Sequence, residues 1–314
     1  MELKKAKIPT MYFIGVSTGD SSSKNIFPRW AETLGILPCE LVGIDLKIHD
    51  DPMNYREVVN FIKEDPLSLG ALVTTHKMDL MEACRNEFDI IDSVASELGE
   101  VSSIYKRGGK LCARATDPEC GGLALQNFLA LNHFNDTDSE LLILGAGGSS
   151  LALVWYFLKG EGRKYSPSKI HVINRSQGRL DHLVKLAEGW GSDGKVASYH
   201  APDLSIADQI INELKPGSLV VNATGLGKDI PGSPITNSAL FPEKGIAWDF
   251  NYRGNLKFLT QARSQKQTRK ITLVDGWDYF VIGWSQVIAD IFNIEIPTSG
   301  VLYELLSNQA KKYR

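Results

Sequence analysis

Cysteine is scarce in this chain of 314 residues: Cys39, Cys84, Cys112 and Cys120 stand far apart. No CxxC pair occurs, so neither a zinc cluster nor a disulfide framework is expected, and isolated reduced thiols point to a cytoplasmic protein. Long apolar runs are also missing, and nothing approaches the roughly 20 residues that a membrane span needs. The charged stretch 1–7 runs into the apolar segment 11–16, which is too short for the core of a secretory leader, so neither targeting nor insertion is expected. No run of lysine or arginine appears, and a formal net charge of -3 gives no electrostatic footprint for nucleic acid. The expected partner is therefore a small molecule, with no nucleic acid, membrane or metal. Internal repeats and low-complexity tracts are absent too.

What is present is the composition of a folded protein, since 43% hydrophobic and 23% charged residues carry no disorder signature. The length exceeds what one core serves, so two domains are expected. Short apolar runs at 11–16, 41–46 and 71–74 read as strands, separated by helical periods at 27–34 and 55–63. Further strands at 102–106 and 111–115 flank Gly108-Gly109, a pair suited to the positive φ of a hairpin turn. Asp117-Pro118 then opens a helix, Asp as cap and Pro at the first helical position, running through 123–131. After a polar loop at 132–139 a second alternating series begins, with strands at 141–144, 170–173, 219–222, 246–250 and 271–274. Such a series predicts a parallel, doubly wound sheet. From Gly276 the chain reads as helix to 292, and again over 300–311. The fold class is α/β with two domains: 1–117 completed by 276–314, and 118–275.

The segment Gly145-Ala146-Gly147-Gly148-Ser149-Ser150 follows a buried strand and precedes the apolar helical stretch 151–158, the context a dinucleotide-binding GxGxxG turn requires. Gly145 suits the tight turn, Gly147 lets backbone approach a pyrophosphate, and the helix start offers free amides; Ser150 stands at the third glycine position. The next strand ends in Asn174-Arg175-Ser176. A NAD-specific site would carry Asp or Glu there to hold the ribose 2′-hydroxyl. Arg175, with Ser176 and Arg179, instead suits a 2′-phosphate, which a guanidinium matches in charge and planarity. NADP is thus the expected cofactor. A later strand ends in Asn222-Ala223-Thr224-Gly225, whose loop is expected to border the nicotinamide.

Taken in order, Ser21-Ser22-Ser23, Val73-Thr74-Thr75-His76-Lys77, Thr116-Asp117, the 145–149 loop, Asn174-Arg175-Ser176, Asn222-Ala223-Thr224-Gly225, Asp249-Phe250-Asn251-Tyr252 and Asp275-Gly276 resemble the shikimate dehydrogenase family. The resemblance spans nearly the whole chain. It implies a catalytic domain made of the N-terminal part and the C-terminal helices, a Rossmann NADP-binding domain inserted between, and a cleft separating them. It implies reversible reduction of 3-dehydroshikimate to shikimate with NADPH, a place in aromatic amino acid biosynthesis, and a homodimer among the expected assemblies. By the same resemblance Lys77 and Asp117 are catalytic. Ser21, Ser23, Thr74, Tyr252 and Gln286 bind substrate, and Gly276 joins the cofactor set. A lysine after a strand end can have its proton affinity tuned by burial and a carboxylate such as Asp117, so one residue serves as acid in reduction and base in oxidation.

The chain departs from the family pattern where substrate is held. Residues 72–77 are one residue shorter than the usual Asn-Val-Thr-x-Pro-Phe-Lys. Ser102 and Ala115 replace two asparagines, and Gly283 replaces a glutamine, with Gln286 about one helical turn later. Arg114 and His76 are additional polar groups. Alternatives are therefore a dehydrogenase for another carboxylated ring polyol, of quinate or aminoshikimate type, or a non-catalytic NADP-binding sensor.

Overall fold

The computed structural model describes residues 3–228 and 230–314. Met1 and Glu2, the start of the charged N-terminal stretch, and Asp229 lie outside the described residues. The chain divides into two compact units, Met1–Thr116 with Val281–Arg314, and Asp117–Phe280.

In the first unit β1 (Thr10–Gly15), β2 (Glu40–Asp45), β3 (Ser68–Val73), β4 (Ile90–Ile91), β5 (Ser103–Arg107) and β6 (Lys110–Arg114) form a six-stranded sheet in the order β2-β1-β3-β5-β6-β4. β1 is buried along its length and runs parallel to both β2 and β3. Parallel neighbours need crossover connections, which the helices Ser23–Thr33 and Pro52–Glu64 supply. The loops after β1, β2 and β3 consequently leave from one edge. β5 is antiparallel to β3 and pairs Ser103 with Leu72, so Ser102 arrives at that same edge. Gly108 (φ 58) and Gly109 (φ 76) close the β5–β6 hairpin between the paired Arg107 and Lys110, with the positive angles such two-residue turns demand.

The C-terminal helices complete this unit. Trp284 packs edge-on against Phe13 at 5.2 Å. Arg107 and Arg114 donate to the Asp290 carbonyl and carboxylate, each at 2.7 Å. In helix Gly300–Lys311 the Leu306 carbonyl accepts from the fully buried Trp30 indole at 2.9 Å, and Gln309 donates to Thr33 at 2.8 Å.

In the second unit β7 (Leu141–Leu144), β8 (Ile170–Asn174), β9 (Val196–His200), β10 (Leu219–Asn222), β11 (Ile246–Asp249) and β12 (Thr272–Val274) form a six-stranded sheet ordered β12-β11-β10-β7-β8-β9. Every neighbouring pair is parallel. This is the doubly wound Rossmann order, with the strand sequence reversing between β7 and β10. β7, β10 and β11 are buried at every position, which is why their apolar residues are consecutive instead of alternating, with β10 and β11 closing on Asn222 and Asp249.

The structure departs from the sequence reading in several places, β4 and the helix Ser93–Leu98 among them. The helix after Thr116 begins at Asp117 itself and ends at Gln126; the apolar period had carried the expectation on to Leu131, whose side chain is 53% exposed. The expected loop 132–139 contains the short helix His133–Thr137, where the Thr137 hydroxyl donates to the His133 carbonyl at 2.6 Å. β9 went unread, because it is a half-exposed edge strand with few apolar residues.

Replacing Trp30 by Phe removes the bond to Leu306 and leaves a small void, and is expected to lower stability by about 1–3 kcal/mol. Urea denaturation measures it, and an unchanged midpoint would remove this tie from the account of how the C-terminal helix is held.

Candidate functional site

The dinucleotide turn is built on the β7–β10 pair. Leu144 and Asn222 are cross-strand partners, so the loops after them run side by side. Gly145 has φ 114, and a Cβ there would lie 2.9 Å from the Ala223 carbonyl oxygen; both facts require glycine. Gly147 caps the helix Gly148–Leu158, and a Cβ there would meet nothing within 4 Å. Space for a ligand therefore lies in front of the helix N-terminus, where free amides and the dipole favour an anion.

A cavity of about 340 Å³ opens there. Gly145, Ala146 and Gly147 line one end, Asn174, Arg175 and Arg179 another, Ala223 and Thr224 a third, and Ala201, Pro202, Asp203 and Leu204 close it. The expected cofactor residues are not all equally placed: Gly145, Ala146, Gly147, Asn174, Arg175, Arg179 and Thr224 line the cavity, whereas Gly148, Ser149, Ser176, Asn222, Gly225 and Gly276 do not. The 201–204 segment was missed from sequence because it follows the unread β9. Asp203 caps helix Leu204–Glu213, accepting from the Ser205 amide at 2.8 Å, and that amide and the Ser205 hydroxyl lower its pKa.

Asn222, though off the cavity wall, organises the neighbouring loop. Its side-chain oxygen accepts from the Thr224 amide and hydroxyl at 3.1 and 2.7 Å, and its amide donates to the Asp249 carboxylate at 3.0 Å. The same Asp249 oxygen accepts from the Asn251 amide at 3.0 Å, and the Asn251 side chain donates to the Leu226 carbonyl at 3.0 Å. Asp249 thus ties the end of β11 to the loop after β10. It is fully buried, and its second oxygen has no hydrogen-bond partner. Burial raises its pKa to about 6 against the lowering effect of the Asn251 and Asn222 bonds, and Asp275 raises it further. Gly276 donates to the Asn251 carbonyl at 3.0 Å. The buried Tyr252 stacks on Phe280 at 4.2 Å, with the Lys228 ammonium 5.3 Å from its ring.

In the first unit Lys77 opens helix Lys77–Cys84 just after β3 and is half-buried. Thr74 donates to the Ile14 carbonyl through its amide and its hydroxyl, at 3.1 and 3.2 Å. Ser21 and Ser23 follow β1 and share a hydrogen bond of 2.7 Å. These four expected residues all follow strands that end at the same sheet edge, Lys77 and Ser23 as the first residues of helices. Gln286 points elsewhere, its amide donating to the Ile296 carbonyl at 2.9 Å. Asp117 opens the second unit's first helix and is buried.

Three departures from the family pattern acquire structure. Ser102 accepts from the Thr116 amide at 2.7 Å and lies 3.0 Å from the Thr116 hydroxyl, while the Val101 amide donates to the Lys77 carbonyl at 3.1 Å. His76 is fully buried, 3.1 Å from the Tyr55 hydroxyl. Arg114, singled out as an extra polar group, is engaged by Asp290. Among the described residues no cluster of side chains could hold a metal ion, and no helix is long and apolar enough to cross a membrane.

The second unit's sheet order and glycine turn define a Rossmann-type dinucleotide-binding protein. No protein-family model matches the chain. It is 31% identical over 179 residues to the shikimate dehydrogenase (NADP(+)) of Lactococcus lactis subsp. cremoris, covering 56% of this chain and 59% of that one. The corresponding protein of Streptococcus thermophilus is 31% identical over 181 residues, covering 57% and 58%. The chain thus spans under two thirds of the length of these two relatives. With that of Nitrosopumilus maritimus it shares 28% over 260 residues, 82% and 85% of the two chains. Among solved structures, shikimate dehydrogenase from Aquifex aeolicus superposes with a TM-score of 0.73 at 18% identity, covering 99% of this chain and 100% of that one. The Thermus thermophilus enzyme in complex with NADP(H) and shikimate gives 0.70 at 20%, covering 98% and 100%. A 5-ketofructose reductase from Gluconobacter gives 0.69 at 16%, covering 98% and 99%. The chain is thus similar in sequence to shikimate dehydrogenases and has their fold.

Asp249 makes a pH prediction. Its carboxyl titrates near pH 6 when folded and near about 3.9 when unfolded. Between those values the native state binds more proton than the unfolded state, so stability falls as pH rises and the penalty is complete above the folded value. Asp249→Asn keeps an acceptor for Asn222 and Asn251 without the buried charge. At neutral pH the variant is expected to be more stable than wild type by on the order of 1–3 kcal/mol, a gap that closes by about pH 4. Urea titrations across this range measure it; a gap independent of pH would refute the assignment.

Proposed function

We propose that the chain is an NADP(H)-dependent oxidoreductase of the shikimate dehydrogenase type, interconverting 3-dehydroshikimate and shikimate. The observation that carries this reading is the single cavity in which the glycine turn, Arg175 and Arg179 meet, with no acid after β8. The unit Met1–Thr116 with Val281–Arg314 is the substrate-binding catalytic domain, and Asp117–Phe280 is the NADP-binding domain. Gly145, Ala146 and Gly147 hold the pyrophosphate through backbone, with Gly148 and Ser149 at the helix start. Arg175 and Arg179, with Asn174 and Ser176, hold the 2′-phosphate. Asn222, Thr224, Gly225 and Gly276 shape the nicotinamide end.

The cofactor, when bound, supplies or accepts the hydride. Lys77 delivers a proton to the carbonyl oxygen in reduction and removes one from the hydroxyl in oxidation, with Asp117 as its catalytic partner. Ser21 and Ser23 offer hydroxyl donors to the ring carboxylate, and Thr74 and Tyr252 complete the substrate set. A second reading, a dehydrogenase for a different carboxylated ring polyol such as quinate, is favoured by Ser102, whose hydroxyl is engaged by Thr116. Free thiols at all four cysteines suit a cytoplasmic location.

Purified protein mixed with NADP and shikimate, then with quinate, is expected to form NADPH, followed by absorbance. Lys77→Ala should lower turnover by about 10²- to 10⁴-fold. Full activity in that variant would remove Lys77 from the chemistry, and silence with both ring acids while NADPH still binds would favour a sensor. Arg175→Ala should cut the preference for NADP over NAD by roughly tenfold or more, the loss of a charge-assisted bond. An unchanged preference would refute the 2′-phosphate assignment.

A further inference from the structure

His200 closes β9 and pairs in register with Asn174 of β8. Its Nε2 lies 3.1 Å from the Arg175 carbonyl oxygen. A carbonyl only accepts, so Nε2 carries the proton and donates. The adjoining Ala201 amide donates to the Asn174 carbonyl at 2.9 Å. Further along, the Asn174 side chain donates to the Ser176 carbonyl at 3.3 Å, and the Gly145 amide to the Ile173 carbonyl at 2.8 Å. Each carbonyl from Ile173 to Ser176 therefore has a donor, and the one at Arg175 is supplied by a side chain from the neighbouring strand.

Arg175 and Arg179 are both exposed and both line the cavity, at the start of helix Gln177–Gly189. Cations there face the positive end of the helix dipole and gain nothing from it. They are useful at that place only if an anion joins them and if little ordering entropy is lost when it does. A fixed backbone under Arg175 lowers that cost. The acidic group on the same wall, Asp203, is held by its own helix start and turned to that task.

We propose that His200 is a positioning residue for recognition of the cofactor's 2′-phosphate, acting by holding the Arg175 backbone so that its guanidinium is presented to that group. This rests on the NADP reading and adds a residue to it from a different strand. No local pattern points to it, because His200 lies 25 residues beyond Arg175 on the strand that composition conceals.

The test is calorimetric and needs no turnover. Adenosine 2′,5′-bisphosphate and adenosine 5′-monophosphate are titrated into wild type, His200→Ala, His200→Gln and Arg175→Ala. His200→Ala is expected to weaken the bisphosphate by about fivefold, the worth of one hydrogen bond, and the monophosphate by less than about twofold. His200→Gln, whose amide can donate to the same carbonyl, should recover most of the loss. Equal weakening of both ligands, no weakening of either, or failure of Gln to rescue would each overturn the proposal. If Arg175→Ala abolishes the preference while His200→Ala keeps it, only the role of His200 fails. If wild type binds both ligands alike, the NADP reading fails with it.

Discussion

The parallel pairing of β7 with β10 is the constraint on which the second unit depends. With Leu144 opposite Asn222, the two loops that follow are forced alongside each other, so closely that a methyl group at Gly145 would meet the Ala223 carbonyl. The tight turn then points the first helix amides across the end of the sheet. Because the strand order reverses at this pair, no crossover helix covers the edge, and the cavity is the space left over. Its walls come from four successive strand ends, which the common strand direction delivers to one place.

Asp249 shows what it costs to fasten such loops. A carboxylate removed from water is destabilising unless its oxygens are well supplied with donors, and only one oxygen of Asp249 is. In exchange, one atom joins the ends of β10 and β11 and, through Asn222 and Asn251, holds the Thr224–Leu226 turn from two sides. The strain is electrostatic, since the backbone of this region needs no unusual angle at Asp249 itself.

What was legible in the sequence follows from burial. Strands covered on both faces, such as β7 and β10, are continuous apolar runs, and the glycine turn between such a strand and an apolar helix is hard to misread. β9 is an edge strand reading Val-Ala-Ser-Tyr-His, half in solvent, and carries no period strong enough to see. With it went the 201–204 wall of the cavity and His200. Asp249 lies in a strand that is legible from its pattern, but nothing local distinguishes its carboxylate from a surface acid; its importance comes from lying beside Asn222 across the sheet. The Asp117 helix was overextended because Leu129 and Leu131 continue the apolar spacing after the backbone has stopped following it.

Ser102 carries the least expected consequence. Counted as a missing amide, it suggests only a lost contact, yet its hydroxyl is the acceptor for the Thr116 amide immediately before Asp117. A hydroxyl is shorter than an asparagine side chain and has one proton to give. A group that holds the backbone ahead of Asp117 has little left to offer a ligand, and at 3% exposure it is closed to one. His76 is likewise turned inward onto Tyr55. Polar groups beside Lys77 are therefore used to fix the chain, and on the proposed function discrimination among ring acids would fall to the hydroxyls of Ser21 and Ser23, since that of Thr74 is given to the Ile14 carbonyl. Such a site would penalise a substrate less for lacking one particular hydroxyl than a site with unmet buried amides, so under the proposed function the range of ring acids is expected to be set by shape and by the carboxylate.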